Sequence, residues 1–184
     1  MTLTLDHVGV LVADLSAALP LACARLQLEA GPVESFPDEG TRECYLGSGP
    51  ARLLLLEAIG PGPYRGALER RGPGLHHVAY QFAGPLPESL PLLPGWLLHP
   101  HSLVSMSQGT LWLARPGVPL LLEITRGETA ATSDLAVEVP VSASEAARLF
   151  PHLPGLRSTI GEPALLRDGR RLTMAELAGP PSHQ

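Results

Sequence analysis

The first patterned stretch, Leu5-Asp6-His7-Val8-Gly9-Val10-Leu11-Val12, is rich in β-branched residues and reads as a strand, and Asp14 follows as a helix N-cap. Leu15 to Leu19 open that helix, with Pro20 tolerable only within its first turns. Three short extended runs lie between Val33 and Leu56, separated by the turn-like Pro37-Asp38-Glu39-Gly40 and Gly47-Ser48-Gly49-Pro50. A helical segment around Tyr64 to Arg71 leads to a second unit, which opens with Leu75 to Phe82 and closes with Gly109 to Ala114 and Pro119 to Thr125. The second unit's helical part, Pro85 to Trp96, carries four prolines, so a loop or broken helix is expected there.

A third, partial copy follows. Asp134 to Val139 and Ser142 to Ala147 repeat the opening strand and capped helix, and Arg170 to Pro180 can be laid without a gap over Ala51 to Pro61. In this copy Leu135 stands in the place of His7 and Thr173 in the place of Leu54. Its expected role is structural, covering an edge or apolar face or forming a dimer contact.

Composition narrows the function. All 13 basic residues are Arg and none is Lys, which removes Schiff-base, pyridoxal-phosphate and P-loop chemistry. A net charge of -5 with scattered arginines argues against nucleic acid and for a small-molecule partner. Cys23 and Cys44 form no CxxC pair and read as reduced, partly buried thiols. No apolar run approaches the ~20 residues of a membrane helix. The amino terminus lacks a signal-peptide pattern, so a cytoplasmic protein is expected.

Strand alternation puts His7 with Gly9 and Leu11, and His77 with Ala79 and Gln81, while Glu123 shares a face with Leu121 and Thr125 at the end of an apolar run. An unpaired buried carboxylate costs several kcal/mol, and a divalent cation shared with two imidazoles compensates it. Two His and one carboxylate suit Fe(II), Mn(II), Co(II) or Zn(II) with positions left open. On the residues alone, ordinary strand histidines and a Glu123 paired with Arg126 or Arg115 remain the alternative. His76 is expected to point away from His77, and His99, His101 and His152 have no ligand-like partner.

Leu5 to Val10 and Glu69 to Ala79 resemble the strand openings of methylmalonyl-CoA epimerases, members of the vicinal oxygen chelate (glyoxalase/bleomycin resistance/extradiol dioxygenase) superfamily. The resemblance takes in Phe36 to Gly40, Leu55 to Pro61 and Leu121 to Ile124, and covers roughly residues 3 to 126. It implies an α+β fold in which paired βαβββ modules (1–72 and 73–126) form a curved mixed sheet around a metal cleft. Residues 127–184 then supply a partial third βαββ module. His7, His77 and Glu123 fall on the family's ligand positions, whereas the remaining ligand position, a Gln or Glu in relatives, is Leu54. Glu57 is expected to face away from it.

The implied chemistry is proton abstraction alpha to a thioester, with a divalent ion (Co, Mn, Fe, Ni or Zn) stabilising the enolate. Glu43 stands where some of these epimerases carry a catalytic glutamate, and Tyr45, Gln81 and Thr125 are candidate substrate contacts. The implied partner is a small molecule such as an acyl-CoA, with no nucleic acid, no membrane, and a homodimer as one expected assembly. Two alternatives stay open. One is a glyoxalase- or dioxygenase-like metalloenzyme with three protein ligands, although the tyrosine that extradiol dioxygenases carry before the final ligand strand is not evident between His101 and Glu123. The other is a metal-free binding protein of the bleomycin-resistance kind.

Overall fold

A β-branched opening run becomes strand β1 (Leu3–Val12), and the Asp14 carboxylate accepts the amide N–H groups of Ser16 and Ala17 to start helix α1 (Leu15–Leu26). This is a computed structural model, and it describes residues 2–127 and 134–178. Strands β2 (Ala30–Phe36), β3 (Thr41–Leu46) and β4 (Arg52–Ala58) complete the first unit, and helix α2 (Pro63–Arg71) links it to the second. The second unit runs β5 (Gly74–Phe82), a 3-10 segment at Leu86–Leu92, the two-residue β6 (Leu97–Leu98), the one-turn helix α3 (Ser102–Ser105), β7 (Thr110–Ala114) and β8 (Leu121–Arg126). The 3-10 segment stands where α1 stands in the first unit, as its prolines dictate.

Eight strands form one mixed sheet in the order β2-β3-β4-β1-β5-β8-β7-β6. In each unit the first strand runs parallel to the last (β1 with β4, β5 with β8), and the two first strands meet antiparallel at the centre. The four strands that carry or flank the candidate ligands are therefore adjacent.

The third segment departs from the expected copy. Strand β9 (Ala136–Val139), helix α4 (Ala143–Leu149), β10 (Leu156–Ser158), β11 (Ala164–Arg167), β12 (Arg170–Thr173) and helix α5 (Met174–Ala178) build a separate four-stranded sheet ordered β10-β9-β11-β12. Its first strand pairs parallel with β10, not with the last strand, and the chain turns helical at Met174 where the overlaid Leu55 continues a strand. Thr173 acts there as a cap, since its hydroxyl accepts the Glu176 N–H while Glu176 accepts from Thr173. Residues 128–133 and 179–184 of the expected 127–184 segment, including Gly179 and Pro180 of the overlay, lie outside the described residues.

This segment covers an apolar face. Val137, Leu165 and Leu172 join Val8, Val10, Val78 and Leu122 in one continuous core with α1. Directional bonds fix the docking: the buried Tyr80 hydroxyl donates to Pro154 O at 3.0 Å, and the Trp96 indole N–H to Leu149 O at 3.2 Å. The Arg167 guanidinium donates to the Leu26 and Gln27 carbonyls, which end α1. The opposite face of the large sheet carries a second, smaller cluster of Leu11, Leu54, Leu56 and Ala67, against which Tyr45 and Tyr64 pack. Cys23 and Cys44 are free thiols, and among the described residues no helix is long and apolar enough to cross a membrane.

Candidate metal centre

On the cleft face the sheet brings three donors together. His7 Nε2 lies 3.0 Å from His77 Nε2 and 3.7 Å from Glu123 Oε2, and His77 Nε2 lies 3.6 Å from the same oxygen. Register explains the convergence, because Arg52, His7, Ala79, Glu123 and Trp112 form one row across β4, β1, β5, β8 and β7. Leu54, Gly9 and His77 form the next row. The small Ala79 separates His7 from Glu123, and the absence of a side chain at Gly9 admits the His77 ring.

Two β-bulges set the ring orientations, one on β1 between Leu5 and His7 and one on β5 between Leu75 and His77. The first turns Asp6 to the cleft face beside His7, and its Oδ2 accepts the His7 Nδ1–H at 2.7 Å. The second does the same for His76, whose Nδ1 lies 2.9 Å from His77 Nδ1 with the rings edge to face. His76 therefore does not point away from His77, as simple alternation implied. Burial, with Arg71 and His99 nearby, lowers the His76 pKa to about 4, so the ring is neutral and can accept the His77 proton. Burial also holds His77 well below the usual histidine range, with His7 and His76 adding to the effect.

This arrangement fits a divalent cation. With each Nδ1–H donated outward, both Nε2 lone pairs face each other and a carboxylate across a few ångströms, which is unfavourable until positive charge fills the space. Bonds of about 2.1 Å around one ion put neighbouring donors about 3.0–3.4 Å apart, near the spacing seen here. Burial raises the Glu123 pKa, with His7 opposing and Asp6, Glu39 and Glu43 adding to the rise. Its ion-pair partners are the two histidines and not an arginine, and Arg115 is engaged with Gly95 O.

Leu54 is 3% exposed and packs in the cleft-side cluster, so this position supplies no ligand. Glu57 lies on the other face, paired with Arg42, which also reaches Ser16 of α1. Glu43 and Tyr45 share the cleft face of β3, opposite Leu56 and Leu54. The Glu43 pKa is raised by burial, while the Thr41 hydroxyl donates to its Oε1 at 2.7 Å. The Tyr45 ring meets His7 edge-on at 5.5 Å, and burial pushes its hydroxyl up to about 12.

Gln81, the expected substrate contact, donates its amide to Asp6 Oδ1 at 2.8 Å and so braces the His7 partner. Thr125 is half-buried on β8, paired in register with Gln81. Trp112 meets His77 edge-on at 5.4 Å and His101 at 6.1 Å, and Tyr64 lies 5.0 Å from His76. His99 and His101 stay outside the ligand cluster.

Asp6, His76 and the Gln81 role were missed in the sequence, yet a signal was present. Core positions run Leu3, Leu5, then Val8, Val10, Val12, and likewise Leu75, then Val78, Tyr80, Phe82. Each phase slip marks a bulge.

Residues 6–90 match the family described as Glyoxalase/Bleomycin resistance protein/Dioxygenase superfamily. The ethylmalonyl-CoA/methylmalonyl-CoA epimerase of Cereibacter sphaeroides is 33% identical over 79 residues, which are 42% of this chain and 59% of that protein. The chain thus spans 59% of the length of the curated relative it matches. Among solved structures, a hypothetical protein from Bacillus halodurans C-125 superposes with a TM-score of 0.57 at 23% identity, covering 71% of this chain and 99% of that one. A methylmalonyl-CoA epimerase in complex with methylmalonyl-CoA and NH4+ gives 0.54 at 21% identity, covering 72% and 99%. At these identities the likeness is one of fold.

Proposed function

The chain carries a domain of the glyoxalase/bleomycin resistance protein/dioxygenase superfamily, and from that premise we propose that it is a metal-dependent enzyme of the epimerase kind, abstracting a proton alpha to a thioester. The observation that carries this reading is the meeting of His7, His77 and Glu123 with both Nδ1 atoms already engaged. A divalent ion held by these three side chains supplies Lewis-acid polarisation of a substrate carbonyl oxygen.

The chain's own groups do the rest. Asp6 and His76 keep each imidazole in the tautomer whose Nε2 is bare. Glu43 is the base: its Oε1 is held by Thr41, which leaves Oε2 to take the α-proton, and its raised pKa brings its basicity closer to what the step needs. Tyr45 and Thr125 line the cleft for a 2-carboxyacyl thioester such as an acyl-CoA. Residues 1–126 carry this chemistry in two modules, and residues 134–178 of the third segment stabilise the sheet from behind.

Incubating the metal-loaded protein with methylmalonyl-CoA in deuterated water tests the proposal. Deuterium at the α-carbon, lost in Glu43→Gln, supports it, and no exchange with any of Co, Mn, Fe, Ni or Zn overturns it. Leu54 favours one other reading, a metal-free binding protein, because the fourth ligand position is apolar and closed.

A further inference from the structure

Arg52 stands next to His7 across two strands, and among the described residues its guanidinium makes no hydrogen bond or ion pair. It pairs in register with His7 and points with Leu54 and Leu56 to the cleft face of β4. Its guanidinium carbon stands 4.1 Å over the Tyr45 ring, whose edge meets His7. This cation–π contact holds the guanidinium over the ring face.

The side chain is half-buried, yet among the described residues no hydrogen bond or ion pair within 4.0 Å engages it. Asp6 feels its charge from further away, but its own oxygens are taken by His7 and Gln81. Arg42 on the neighbouring strand, by contrast, is paired with Glu57. A half-buried guanidinium held over an aromatic ring, with no hydrogen bond or ion pair among the described residues, is poised for a planar anion.

We infer that Arg52 reads a carboxylate of the ligand, so that the cleft selects molecules bearing a carboxylate next to the carbonyl oxygen that approaches His7, His77 and Glu123. The inference rests on the proposed metal site and deepens it by assigning the residue that reads the carboxylate. A neutral ketone or ester leaves the half-buried fork unpaired, whereas a carboxylate satisfies two N–H groups at once.

Calorimetric titration of Co(II)-loaded protein with malonate and with malonamide tests the assignment, using wild type, Arg52→Met and Arg52→Lys. The expected result is a malonate affinity about 10–100-fold weaker in Arg52→Met, with partial recovery in Arg52→Lys and unchanged malonamide binding. Equal weakening of both probes, unchanged malonate affinity, or no malonate binding by the wild type overturns it. Metal content measured by mass spectrometry on the same samples separates the two claims, because Arg52 is not a ligand and its variants should keep the ion. Loss of the ion from the wild type itself would instead sink the metal site.

Discussion

The His77 imidazole fills the space that a side chain on Gly9 would need: a β-carbon at Gly9 would sit 2.1 Å from His77 Cε1 and 2.6 Å from Nε2. The two residues face each other across β1 and β5, and the ring is fully buried, so it can move only at the expense of the ligand geometry. Gly9→Ala is therefore expected to displace His77, lower stability by about 1–3 kcal/mol and weaken metal binding by at least about tenfold. Thermal unfolding with and without metal, read beside equilibrium dialysis, checks both parts.

Asp6 acts through His7. Asp6→Ala removes the acceptor of the Nδ1 proton and frees Gln81, so metal affinity should fall about 10–100-fold while the circular dichroism of the fold is kept. Gln81→Leu should give a smaller loss in the same direction. An Asp6→Ala protein with wild-type affinity would mean that the ring orientation is set by packing alone.

Leu54 offers a gain-of-function test. It sits beside Gly9 in register, on the face that carries the donors. Leu54→Glu should tighten metal binding by about tenfold or more, and should lower the melting temperature in chelator because an unpaired carboxylate then lies among Leu11, Leu56 and Ala67. A variant equally stable with and without metal would place this position outside the site.

Burial raises the Glu43 pKa, opposed by Thr41 and reinforced by Glu39. A base works only when deprotonated, and a raised pKa keeps it protonated to a higher pH, so proton exchange should fall on acidification at a pH above that of an ordinary glutamate. Thr41→Val removes the hydrogen bond that opposes the shift and should move this acid limb higher still. A pH profile of deuterium exchange for both proteins reads the difference.

Much of this was legible in the sequence because alternation and caps are local. The run around His7, the Asp14 cap, the prolines of Pro85 to Trp96 and the Glu at the end of Leu120 to Leu122 located the strands, the broken helix and the three side chains that meet in the cleft. The bulges at Asp6 and His76 were not read, since one extra residue reverses side-chain direction without changing composition. The third segment was legible in part. Asp134 to Val139 and Ser142 to Ala147 do form a strand and a capped helix, but the pairing of that strand with β10 and β11 joins distant stretches and leaves no local pattern. Tyr80→Phe isolates that contact: losing the bond to Pro154 O should cost about 1–2 kcal/mol and leave metal affinity unchanged.

A cation held by His7, His77 and Glu123 is measured most directly as metal content per chain. Wild type and His77→Ala would be loaded anaerobically with Mn, Fe, Co, Ni and Zn, freed of excess ion and analysed by mass spectrometry. One ion per chain in the wild type and almost none in His77→Ala is the predicted result. An empty wild type, or a variant that keeps its ion, would contradict it.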